Sequence, residues 1–193
     1  MQDSKNNYFR YRLFFSKGDV ARFIGHLDLQ ALFGKAFKRA GLPVAYSQGF
    51  NPHPLMSIAV PLPLGMAGRA EIFEIYLTKK VDESTLLVEF NKQLPLGLEI
   101  HDVVEVPPIG KSAAALAHLA KYHITFKEFA KSENLSLPNE IEEKVKSLNF
   151  IDEKRLEAVL ATGSAKNLKP QVLLQHLNLN EKDFFCERIE IYL

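Results

Sequence analysis

A histidine set between two prolines marks the run Ser47-Gln48-Gly49-Phe50-Asn51-Pro52-His53-Pro54 as the first place to look for chemistry. Each proline fixes its own φ and pushes the residue before it, Asn51 or His53, toward an extended backbone. Gly49 admits a positive φ just ahead of them. The expected product is a stiff ribbon presenting an amide and an imidazole at set angles, suited to binding or positioning a substrate. The plainer alternative is a rigid turn that starts a strand, with His53 capping a neighbouring backbone group.

His26 and Asp28 form a second candidate, at the start of a helix. Free N–H groups at helix N-termini attract anions, and a histidine there can donate to a phosphate or exchange a proton. The competing reading is a helix start with His26 packed on its rim. A third candidate is the first strand, where Arg10, Arg12 and Phe14 share one face. An aromatic flanked by arginines on an open sheet face is a way to stack and neutralise single-stranded RNA. A covering layer would instead turn Phe14 into core, and internal pairing of the two arginines would remove the argument. His101, His118, His123 and His176 show no ligand-like spacing, so no metal site and no cofactor is expected. Gly163-Ser164-Ala165-Lys166-Asn167 lacks the frame of a phosphate-binding loop.

The elements that must position these groups follow from periodicity. Phe9, Tyr11, Leu13 and Phe15 alternate with Arg10, Arg12, Phe14 and Ser16, which predicts a half-buried strand. Leu29, Leu32, Phe33, Ala36 and Ala40 predict a helix that Gly25 caps and Gly41 and Pro43 end. Strands are expected at 56–60, around Phe73, Ile75 and Leu77, and at 100–106, with an Asp82-capped helix carrying Leu86 and Phe90. The order β-α-β-β-α-β predicts a ferredoxin-like unit over residues 1–108. Residues 109–193 read as a second, smaller α+β unit, a degenerate ferredoxin-like one: a short helix at 112–119, a strand at 122–126 and a helix through Ile141, Val145 and Leu148. A strand at 156–161, a helix from Pro170 and a last strand with Ile189, Ile191 and Leu193 on one face complete it.

Charge is uneven beneath a formal net of +1. Residues 1–50 hold eight basic and three acidic residues, Lys35, Lys38 and Arg39 among the former, whereas residues 51–110 hold four basic and eight acidic ones. A basic first quarter is compatible with a polyanion, and equally with a mixed solvated surface. Cys186 is the single cysteine, the first residues are polar, and no apolar run approaches the roughly 20 residues that cross a bilayer. A reducing cytoplasm is the expected compartment, with no membrane partner.

Four segments carry a family likeness: Gly25-His26-Leu27-Asp28-Leu29, Lys38-Arg39-Ala40-Gly41-Leu42-Pro43, Tyr46 to Pro54, and Pro61-Leu62-Pro63-Leu64-Gly65. Together they resemble the radical-SAM-associated, or radical-SAM-linked, uncharacterised bacterial proteins, over about residues 8–130. The resemblance implies an accessory protein working with a radical SAM enzyme, in RNA or ribosome-linked modification. It departs at Gly25 and Gly68, where the family usually or often has a hydroxyl residue, and at Leu55, where a basic residue is common. One cysteine cannot supply the three clustered ones that hold a radical SAM iron–sulfur cluster.

Three functions are carried forward. The first is an RNA-binding or substrate-presenting accessory subunit, with Arg10, Arg12, His26, Lys38 and Arg39 supplying contacts and Asn51 and His53 positioning the substrate. The second is a docking module for a radical SAM partner, with Gly49, Phe50, Pro52 and Pro54 shaping the contact ribbon. The third is a metal-independent endoribonuclease, since tandem ferredoxin-like units with a histidine near the first helix resemble CRISPR RNA-processing nucleases. There His26 would be general base and His53 acid.

Overall fold

The computed structural model describes residues 7–128, 136–163, 166–179 and 184–193, with the backbone alone at Asp19. The polar residues 1–6 and Ser164 and Ala165 of the glycine loop lie outside the described residues. Strand β1 (Phe9–Lys17) alternates as its sequence demands, with Tyr11, Leu13 and Phe15 buried. A 3-10 turn (Asp19–Phe23) leads to helix α1 (His26–Arg39), which buries Leu29, Phe33, Ala36 and Phe37. Strands β2 (Met56–Ile58) and β3 (Ala67–Leu77), helix α2 (Glu83–Asn91) and strand β4 (Leu98–Val106) follow. Asp82 accepts from Thr85 N and starts α2. The phenylalanines of β1, α1, β3 and α2 fuse into one aromatic core. Phe37 stacks on Phe90 with centroids 3.9 Å apart, and Phe15 meets Phe33 edge-on at 5.3 Å. Each such ring contributes on the order of 2–3 kcal/mol by leaving water.

The second half supplies α3 (Ala113–Leu116), β5 (Leu119–Phe126), α4 (Asn139–Glu142), β6 (Val145–Asp152), β7 (Arg155–Ala161), α5 (Pro170–His176) and β8 (Phe184–Tyr192). The α+β class is as expected, but the sheet is larger than two small units would give. Among the described residues eight strands form one sheet in the order β4-β1-β3-β8-β5-β7-β6, with β2 also pairing β3. β8 makes the join, running parallel to β3 through Ala67 and Gly68 and antiparallel to β5.

Two local expectations are corrected. Val145 and Leu148 lie on strand β6 rather than a helix, because only the single turn of α4 around Ile141 precedes it. In β8 a bulge opposite Lys121 and Tyr122 makes Ile189 the extra residue. Cys186, Arg188 and Ile191 therefore point inward, where strict alternation would group Ile189, Ile191 and Leu193.

Candidate functional site

The Pro-rich run forms a β-hairpin whose base is tied to β3. Ala45 N donates to Tyr76 O at 2.8 Å, Tyr76 N to Leu55 O at 3.0 Å, and Leu55 N to Ala45 O at 2.8 Å. Further out, Tyr46 bridges to Pro54, and Ser47 N donates to His53 O at 2.9 Å. Ser47 Oγ accepts from His53 N at 3.1 Å and shares a 2.9 Å hydrogen bond with His53 Nδ1. One ring nitrogen of His53 is thus spent on holding the hairpin, which leaves Nε2 for any other role. Gly49 has φ +120°, the conformation its position requires. At the tip Gln48, Gly49, Phe50, Asn51 and Pro52 are exposed, and Phe50 is so along its whole side chain.

The hairpin base rests on α1. A Cβ at Gly34 would come within 3.3 Å of Pro54 Cγ, so the glycine permits this approach. Gly34 is a position that sequence reasoning did not single out. A glycine inside a strong helical pattern was its available signal. His26 is the first residue of α1, half-buried, and Gly25 caps the helix without a side-chain bond. Eight residues separate His26 from Gly34, about 12 Å along the helix axis. Among the described residues no hydrogen bond or ion pair joins His26 or Asp28 to Asn51 or His53.

Lys35, Lys38 and Arg39 are exposed on α1, and Arg39 reaches Gln93 O at 2.7 Å near the end of α2. Arg10 and Arg12 depart from the sequence expectation of an open, basic sheet face. Arg10 is 2% exposed, and its Nη2 donates to Glu74 Oε2 at 2.6 Å and Lys111 O at 3.0 Å. Arg12 donates through Nε and Nη2 to Glu74 Oε1 at 3.1 and 2.9 Å. Ala113 N donates to the same oxygen at 3.1 Å, so the segment leading into α3 covers this face. Phe14 is half-buried and packs against Ala59, Ile72, Ala113, Ala117 and Ile191. The physical reason is charge: a carboxylate directly across from Arg12 in the β1–β3 register satisfies both guanidinium groups internally.

These features define an α+β protein with a pinned hairpin that holds Phe50 fully exposed at its tip. A family model described as an uncharacterized protein conserved in bacteria (DUF2344) matches residues 10–182, and the chain belongs to that family. No curated protein matches it. No helix among the described residues is long and apolar enough to cross a membrane.

Proposed function

We propose that this chain is a non-catalytic accessory protein that docks through the 45–55 hairpin onto a radical SAM enzyme, the partner its sequence resemblance implies. Phe50 carries the reading. A phenyl ring held fully in water is a cost to the isolated protein, and the hairpin beneath it is fixed by Ser47, His53 and the β3 ladder. Such a preordered aromatic suits an interface anchor, because little freedom remains to be lost on binding. The test is co-purification of the full chain with a radical SAM protein of the same organism. Phe50→Ala should weaken capture by about ten-fold or more, the loss expected of a central anchor. Equal capture of the variant and the native chain would end the docking role of the hairpin.

RNA binding is the second reading, favoured by the exposed lysines Lys35 and Lys38 on the helix that supports the hairpin. Phe50 would then stack a base while the lysines meet phosphates. Salt-dependent retention of RNA that weakens in a Lys35→Gln, Lys38→Gln double variant would favour it over protein docking. Cleavage by His26 is the third reading. With His53 engaged by Ser47 and the hairpin meeting α1 two turns away, no observation favours it.

A further inference from the structure

From Leu29 to Ala70 the chain has no aspartate or glutamate, although 23 of its 193 residues are acidic. Asp28, in the first turn of α1, is the acid before this stretch, and the buried Glu71 is the one after it. Most of α1 and the whole hairpin lie within it, and the two elements meet at Gly34 and Pro54. Residues 45–55 of the hairpin carry no formal charge, whereas the second half of α1 carries Lys35, Lys38 and Arg39, all exposed. Lys38 follows Gly34 by one helical turn, which sets it on the side of α1 that meets the hairpin. Among the described residues neither Lys35 nor Lys38 has a hydrogen-bond or ion-pair partner. Arg39 donates from Nη2 to Gln93 O at 2.7 Å and from Nε to Gln93 Oε1 at 3.3 Å. Both acceptors are neutral, so the charge of Arg39 is not cancelled. The C-terminus of α1 offsets only about half a charge, less than three cations bring.

A neutral hairpin with one fully exposed ring therefore stands on a helix whose charge is positive and unpaired. The ring calls for an apolar pocket, and the helix beneath it repels any basic face that brings such a pocket close. Resting on the docking reading above, we propose that the partner protein receives Phe50 in an apolar pocket and sets carboxylates beside it, facing Lys35, Lys38 and Arg39. A single ring projecting from a tip is a knob for a pocket, whereas single-stranded nucleic acid is held by successive stacking platforms along a groove. The two parts of the surface then do different work. Complementary charge at the rim governs the rate of encounter, and the buried anchor governs the lifetime of the complex.

Surface plasmon resonance of the full chain over an immobilised radical SAM protein of the same organism, at low and at high salt, separates these rates. Association of the native chain should slow about ten-fold between roughly 0.03 and 0.3 M salt, as screening removes the attraction. At low salt a Lys35→Glu, Lys38→Glu double variant should associate about ten-fold more slowly than the native chain and dissociate at the native rate. Arg39 is kept in that variant because its bonds to Gln93 brace α1 against the end of α2. Phe50→Ala should do the reverse, dissociating faster with association little changed. Should the double variant fail to fold, the salt dependence of the native chain decides alone. Binding whose association is indifferent to salt, or unchanged or quickened by the charge reversal, overturns the acidic face and leaves the docking reading standing. Absence of binding at either salt overturns both, as does a native chain that retains a single-stranded RNA oligonucleotide and not the protein.

Discussion

Four donors converge on one carboxylate at Glu74: Arg10 Nη2, Arg12 Nε and Nη2, and Ala113 N. In the sequence Glu74 is one polar residue in an alternating strand, and nothing local says that two arginines on another strand will claim it. Cys186 shows burial acting on a single group with nothing to oppose it fully. Desolvation pushes its thiol from the ordinary 9.0 up to about 12, against some help to the thiolate from Arg188. In the unfolded chain the thiol loses its proton from pH 9 upward, whereas the folded chain holds it to about 12. The unfolded state then binds fewer protons, so this contribution is intact below pH 9 and is lost as pH climbs toward 12. Urea midpoints should therefore drop more between pH 8 and pH 10.5 for the native chain than for Cys186→Ala. Parallel drops would show that the thiol titrates normally in the fold.

Between elements, one turn fixes how α2 enters β4. Gly97 has φ +88°, its carbonyl accepts from Gly18 N at 2.9 Å, and a Cβ there would stand 2.8 Å from Gly18 O. Gly97→Ala should lower stability by about 1–3 kcal/mol through the strained φ, and more if the 3-10 turn cannot yield. A urea melt reads this directly, and an unchanged midpoint would mean the turn rebuilds at no cost. Elements of this kind were legible where a local rule decides them. Asp82 and Gly25 announced helix starts, Gly41 and Pro43 a helix end, and the alternation of Phe9 to Phe15 a strand. β6 was illegible for a definite reason. Two register shifts, between Val145 and Ser147 and between Phe150 and Asp152, break its period of two. The spacing of Ile141, Val145 and Leu148 then imitates a helix. The hairpin was legible as a stiff excursion from its prolines and glycine. Its seat on Gly34 was not, because that contact joins residues twenty apart in the chain.

The whole molecule depends on the seam between β3 and β8. Arg188 and Glu71, both almost without exposure, form a buried ion pair there, with Nε 2.8 Å from Glu71 Oε1 and Nη2 on both Glu71 Oε2 and Val60 O. Burial alone pulls the Arg188 pKa down, and Glu71 more than offsets this and raises it. Lys17 lies close enough to feel both charges, and burial depresses its ammonium. Arg188→Ala strands the Glu71 carboxylate and should cost about 3–5 kcal/mol. Hydrogen exchange should then quicken in β3 and β5 together, because both lose the strand between them. Protection lost in β5 alone would mean that the two halves stand independently.

The order of synthesis gives this seam a further meaning. β8 leaves the ribosome after all the strands it brings together. Until it does, β3 and β5 carry bare hydrogen-bonding edges and Glu71 is a charge without its cation. A nascent chain in that state has a strand-wide slot through the middle of its sheet, open to any passing β-edge. Closure of the slot has to wait for β8, and a chain stalled or shortened before that strand leaves these edges open to aggregation.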